Sequence, residues 1–261
     1  MTYQHETNPI IRTSAFAILE QAAKTAIETA QLAIARGPAG IGKSFALTLL
    51  ERSMSNDADR VYVFTATARN GRSVKRFFEE AVLALGLASY GGTDPLQRLQ
   101  RALMQSYPFR PNGPRVLLII DECQHLDAKL IECLRYLFDV GAYARDFDAS
   151  RPAFGILLVG NAHFLSRGGR AERAAFEALL TRCALEVTLD RPGRDEIKDL
   201  AQSIFPEDQD LRAALVEHGE AHGNLRVMGT AVSVARQFAG DSPLSFAHLQ
   251  KAFLFTAGGK A

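Results

Sequence analysis

The sequence predicts an α/β fold, a parallel five-stranded sheet flanked by helices, with a small C-terminal all-helical domain after it. Three observations lead there. Strand and helix patterns alternate as far as residue 190, which is how crossover units build a parallel sheet. Val116–Ile120 is a continuous apolar run, as a strand covered on both faces requires. From Arg191-Pro192-Gly193 onward only helical periodicity appears, around Leu200, Leu215, Val227 and Phe253. The expected division is therefore 1–190, including an N-terminal linker helix, and 191–261.

Each element has its own signal. Phe16, Leu19, Ala23 and Ile27 recur at helical spacing, with Ser14 as N-cap by residue type. Gln31–Ala35 is a short apolar strand entering a Gly-rich turn, and a helix follows from Lys43 to about Met54. Val61–Phe64 is β-branched and aromatic, hence the second strand. Ser73–Leu85 reads as a helix, and Thr93-Asp94-Pro95 caps another that carries Leu96, Leu99 and Leu103. After the Val116–Ile120 strand, Leu130, Leu134, Leu137 and Phe138 mark a helix. Phe154–Val159 and Leu185–Leu189 supply the remaining strands.

Composition narrows the class. The 261 residues are 47% hydrophobic and 23% charged, ordinary for a globular chain that buries its own core. A net charge of +1 excludes a protein basic over its whole surface, so nucleic acid would be met by a local patch. Three cysteines, at 123, 133 and 183, form no CxxC pair, which argues against a disulfide framework or zinc ribbon. Met1–Arg12 is polar and no apolar run approaches the roughly 20 residues of a membrane span. A cytoplasmic protein with no membrane partner is expected.

The strongest motif is Gly37-Pro38-Ala39-Gly40-Ile41-Gly42-Lys43-Ser44, which fits G-x-x-x-x-G-K-S between a strand and a helix. Glycines let backbone amides curl around phosphates, and the following helix aims its positive end at them. Lys43 would reach the β and γ phosphates of ATP, Ser44 would offer an oxygen to Mg2+, and Phe45 follows them. A chance GKS in a Gly-rich turn is the bland alternative. Leu117–Ile120 then ends in Asp121-Glu122, at the strand edge where open α/β sheets bind ligands. Asp121 is the candidate magnesium residue, and Glu122 the candidate for orienting the attacking water. Two acids at a solvated strand end are the alternative. Asn161 ends the fourth strand and is a candidate bridge between Glu122, water and the γ-phosphate, although Gly160-Asn161 also suits a plain turn. His125 reads as a structural or relay histidine, because no second ligand is spaced to join it.

Together with Gly223-Asn224-Leu225-Arg226, these motifs resemble the AAA+ ATPases. Within that group the chain is similar to the transposition helper ATPases of the phage Mu B type. The residues that carry this are Ile119–Glu122 with His125-Leu126, Gly160-Asn161, Gly168-Gly169-Arg170, and Phe176, Leu179 and Thr181-Arg182. The similarity runs from about residue 10 to 255. It implies a P-loop AAA+ domain with a helical lid that binds ATP at subunit interfaces. It also implies a homo-oligomer, a ring or filament on duplex DNA, that marks target sites and activates a transposase. Arg182 would be the arginine finger, with Arg170 and Arg173 as weaker candidates, and Arg226 the second sensor. Two departures stand out. The N-terminal helix-turn-helix region carried by the phage Mu B type is not expected here, with no room for it before residue 10, and the connection around Tyr143–Pro152 is longer.

Arg69, Arg72, Lys75 and Arg76 cluster after the second strand. Cations in a helix's first turn oppose its dipole by about 0.3–1 kcal/mol each, a cost that bound phosphates would offset. The resemblance places this region on the channel that holds DNA. A solvated basic loop balanced by Glu79 and Glu80 is the alternative. Few aromatics accompany it, so contacts would be to phosphates and indifferent to sequence. Two other readings stay open: an AAA+ ATPase of the secretion-associated or helicase-loader type acting on a protein, and a small-molecule P-loop kinase, which Arg226 argues against.

Overall fold

The computed structural model of the chain describes residues 12–56, 58–87, 94–104, 114–143, 154–165 and 169–256. Within them lie α1 (Ser14–Thr29), β1 (Leu32–Gly37), α2 (Lys43–Met54), β2 (Asp59–Thr65), α3 (Val74–Ala84) and α4 (Pro95–Leu103). Next come β3 (Arg115–Asp121), a 3-10 turn (Cys123–His125), α5 (Ala128–Tyr143), β4 (Gly155–Asn161), α6 (Arg170–Leu180) and β5 (Cys183–Thr188). Four helices close the chain: α7 (Arg194–Ile204), α8 (Gln209–His222), α9 (Leu225–Ala239) and α10 (Phe246–Thr256). No helix among the described residues is long and apolar enough to cross a membrane. Thr93, Gly168 and most of the Tyr143–Pro152 connection lie outside the described residues.

The five strands form one sheet in the order β2-β3-β4-β1-β5, parallel throughout. Crossovers place every carboxyl end on one edge, and that edge receives the motif residues. Central strands are buried on both faces. Leu118, Ile120, Ile156 and Leu158 join one core with Phe64, Phe77, Phe78, Leu130 and Phe176, while Leu117, Ile119, Leu157 and Val159 are buried on the other face. Each such side chain contributes roughly 1.5–3 kcal/mol by leaving water. Phe77 sits edge-on to Phe64 and Phe78, with ring centroids 5.0 and 5.2 Å apart. At the opposite end of the β2–β3 ladder Arg115 grips Asp59 through two bonds of 2.5 and 2.7 Å, fixing the register there. That grip holds the Arg115 pKa above its ordinary value.

Helix ends follow their chemistry with one shift. The cap of α1 is Thr13, whose Oγ1 accepts from the Phe16 N–H at 3.1 Å, rather than Ser14, which is already helical. Ser73 caps α3 by accepting from Arg76, and Asp94 caps α4 with Pro95 in the first turn. β5 is an edge strand with one face exposed. It starts at Cys183, and Leu189, just past its end, donates its N–H to the Arg36 carbonyl at 2.7 Å.

The chain divides into two compact units. One comprises Ile18–Gly37 and Lys43–Leu189, hence the sheet. The other gathers the described residues before Ile18, the short stretch Pro38–Gly42, and those from Asp190 onward. Its core is Ile197, Ala201, Leu215, Met228, Val232 and Leu249. A Cβ on Gly219 would fall 2.6 Å from the Met228 sulfur and 2.9 Å from Ile197 Cγ2, so a larger residue there would push buried side chains aside. His218 stacks on Phe253 at 4.0 Å, and its burial lowers its pKa, with His222 adding to the effect.

Candidate nucleotide-binding site

Register brings the motif residues together. Gly37, the last residue of β1, pairs with Asn161 at the end of β4, and β3 beside it ends at Asp121. Lys43 opens α2, is 8% exposed, and donates from Nζ to the Gly37 carbonyl at 3.0 Å. Ser44 donates its hydroxyl to Asp121 Oδ2 at 2.6 Å. Asp121 is 1% exposed, and its Oδ1 accepts the Glu122 N–H at 2.8 Å. Burial raises the Asp121 pKa, while the Ser44 and Glu122 bonds and the nearby Lys43 charge pull it back. A buried carboxylate beside a serine hydroxyl is the hard oxygen chemistry that a magnesium ion takes, and an ammonium in the same place suits phosphate. The residues therefore fit MgATP. Phe45, beside Ser44, is exposed.

The loop residues Pro38–Gly42 belong to the other unit. Gly40 and Gly42 adopt φ of +82° and +93°, which side chains rarely tolerate. A Cβ on Gly40 would fall 2.1 Å from Asn224 Oδ1, so this glycine is required by contact as well as by φ. The Gly40 carbonyl accepts the Arg226 N–H at 3.2 Å. Gly223 is the left-handed C-cap of α8, and Asn224 caps α9 by accepting from Arg226 and Val227. The Gly223–Arg226 motif is thus also a helix corner. The Arg226 side chain is exposed.

Glu122 follows Asp121 with φ 58° and ψ 38°, a left-handed conformation that costs a non-glycine residue about 1–3 kcal/mol and concentrates at functional sites. Gln124, which the motif reading passed over, donates from Nε2 to Glu122 Oε2 and accepts the Asn161 N–H on Oε1 at 3.1 Å. Gly160 and Asn161 are strand, not turn. A Cβ at Gly160 would strike the Phe164 ring, and Asn161 Oδ1 caps the turn beyond it by accepting from His163 at 3.1 Å. Cys123 is fully buried beside the Ile120 carbonyl, and burial drives its thiol pKa well up, so it acts as a small core residue.

Arg182 lies elsewhere in this unit. Just after α6, it forms a two-bond pair with Asp139 of α5, at 2.6 and 3.0 Å, and also bonds the Ala178 carbonyl. Arg135 reaches the same Asp139 at 3.5 Å. Arg170 and Arg173 are exposed on α6.

The basic cluster is built on an anchored turn. Arg69, Arg72, Lys75 and Arg76 are all exposed. Between them Asn70 is 1% exposed and bonds Thr67 twice and Glu80 once. Gly71 accepts the Asp127 N–H at 2.9 Å, and a Cβ there would fall 2.1 Å from the His125 carbonyl. The turn is thus seated on the segment that follows Glu122. Lys75–Glu79 and Arg76–Glu80 are loose pairs at 3.8 and 3.7 Å, weak when exposed.

Comparison with known proteins fits this geometry. The AAA domain family matches residues 26–168, a span that includes the phosphate loop, Asp121-Glu122 and Asn161. This chain belongs to the AAA domain family. The chain is 24% identical over 212 residues to the ATP-dependent target DNA activator B of Escherichia phage Mu, a match covering 81% of this chain and 61% of that protein. Against the Mu-like prophage FluMu DNA transposition protein B of Haemophilus influenzae it is 24% identical over 200 residues, covering 76% and 62%. It therefore spans about three fifths of the length of these relatives. Among solved structures, the ORC2 protein of Aeropyrum pernix superposes with a TM-score of 0.70 at 18% identity, covering 100% of this chain and 72% of that one. Domain III of the replication initiation protein DnaA of Thermotoga maritima gives 0.56 at 14%, covering 97% and 96%. At such identities these two likenesses speak for the fold alone.

Proposed function

We propose that this AAA domain binds and hydrolyses ATP, oligomerises on duplex DNA with little regard to sequence, and acts in target selection and transposase activation during DNA transposition. The observation that carries the reading is the convergence of Lys43, Ser44, Asp121 and Glu122 on the carboxyl edge of the sheet. The similarity to the phage Mu activator directs it toward transposition. Lys43 binds phosphate oxygens by charge, and Glu122 orients water for attack. Magnesium at Ser44 and Asp121 would supply neutralisation of phosphate charge. Asn161 sits beside Gly37 to report the phosphate state, and Arg226, whose N–H holds the Gly40 carbonyl, is assigned as second sensor.

Arg182 is assigned as the finger that reaches a neighbouring subunit's ATP. In one chain its guanidinium is held by Asp139, and an incoming γ-phosphate would compete for it. Arg182→Ala is then expected to bind ATP yet form no active oligomers. Mixing it with Lys43→Ala should recover part of the ATPase activity, because one interface then holds an intact pocket and an intact finger. No recovery at any mixing ratio in a coupled ATPase assay would remove the trans role.

The anchored 69–76 turn is assigned as the DNA surface. One copy binds weakly; an ATP-assembled array links many copies and gains through effective concentration. Neutralising Arg72 and Lys75 together is expected to weaken binding to all duplex sequences equally and to flatten its salt dependence, each lost phosphate contact lowering the slope by about 0.9. ATP binding should be unchanged. A salt titration with a non-hydrolysable ATP analogue tests this. An unchanged slope moves the DNA surface elsewhere, and no duplex binding by the wild type at low salt favours a protein partner instead.

A further inference from the structure

The chain after β3 is shaped around one side chain that the assignments above leave without a role. Asp121 ends the strand, Glu122 turns left-handed, and a single 3-10 turn brings residue 124 back alongside residue 122. The turn is held on several sides. His125 and Leu126 donate their N–H groups to the Glu122 and Cys123 carbonyls at 3.0 and 3.1 Å, Cys123 packs fully buried, and Asp127 is tied to Gly71. On this support Gln124 faces two partners of opposite demand. The Glu122 carboxylate accepts only, so it takes the amide NH2; the Asn161 N–H donates only, so it takes the amide oxygen. A primary amide meets both at once. Glutamate meets the second alone, and an apolar side chain meets neither.

We infer that Gln124 is a positioning residue for ATP hydrolysis, fixing the Glu122 carboxylate and tying it to the strand end that carries Asn161. The inference rests on the reading of Glu122 as the water-orienting carboxylate. Glu122 leaves the strand in a conformation that side chains rarely adopt, and the Gln124 amide gives its carboxylate a fixed hydrogen-bonded place. The same amide ends on the backbone of Asn161, whose strand neighbour is Gly37 at the entrance of the phosphate loop. Two hydrogen bonds through one amide thus tie the Glu122 carboxylate to the β4 end. Gln124 acts through Glu122 and exchanges no proton with ATP or water.

The test uses Gln124→Met, which keeps the length and removes both bonds, and Gln124→Glu, which keeps an acceptor for Asn161 but sets a second carboxylate against Glu122. The probes are a fluorescent ATP analogue for binding and single-turnover ATP hydrolysis for the rate. Binding is expected to stay within about threefold of wild type, since the side-chain bonds of Gln124 run to Glu122 and Asn161, and this also reports that the variants fold. The hydrolysis rate is expected to fall about ten- to hundredfold, the worth of a hydrogen bond to a charged group, with Gln124→Glu the slower. Introduced into Glu122→Gln, either change should cost less than about twofold more, because its effect runs through Glu122. Wild-type rates in both single variants, or a loss that multiplies with that of Glu122→Gln, would overturn the inference. Wild-type hydrolysis by Glu122→Gln with Gln124 intact would instead overturn the reading beneath it.

Discussion

Lys43→Ala is expected to abolish ATP binding, weakening it at least about a hundredfold, the loss of a charge-assisted contact in a buried setting. The lysine is almost wholly buried and already turned toward the loop, its ammonium on the Gly37 carbonyl. Alanine removes both the charge and that internal bond, so phosphates would meet a loop without its cation. Titration with a fluorescent ATP analogue checks the affinity. Circular dichroism separates loss of binding from loss of fold, which stands on the apolar sheet and not on this side chain. A dissociation constant equal to wild type would place the phosphate site elsewhere.

Glu122→Gln should do the opposite. Binding stays, and hydrolysis falls by about a hundred- to ten-thousandfold, the usual worth of a positioned acid–base group. The amide nearly matches the carboxylate in shape, and its oxygen still accepts from Gln124, so the turn persists. What disappears is the negative charge that polarises water. A variant that binds ATP and turns it over at the wild-type rate would remove Glu122 from the chemistry.

Local signals were readable because they are local. A strand, a glycine-rich turn and a helix in succession mark the G-x-x-x-x-G-K-S stretch, and an apolar run ending in two acids marks the end of β3. The five strands follow from period and composition in the same way. Contacts made by tertiary geometry carried no such mark. Asp139 lies 43 residues from Arg182, and no spacing rule pairs them. Gln124 is inconspicuous until a left-handed Glu122 folds it back. Asn70 and Gly71 stand among the cations with no signal of their own in sequence, and only burial and a close backbone contact make them the anchor of that loop. Gly223-Asn224 carries a resemblance in sequence, and what the fold shows for the two residues is the close of one helix and the opening of the next. Thr13 and Ser14 are equivalent cap types side by side; only the bond to Phe16 selects the first.

In the proposed function, ATP bound at Lys43, Ser44 and Asp121 assembles this chain on duplex DNA. Duplex binding measured with and without a non-hydrolysable ATP analogue, with electron microscopy of the same mixtures, tests it most directly. Tight, salt-sensitive binding and ordered protein arrays on DNA are expected only when the analogue is present, and neither with Lys43→Ala. Equal duplex binding without nucleotide, or no binding by the wild type at low salt, would contradict it.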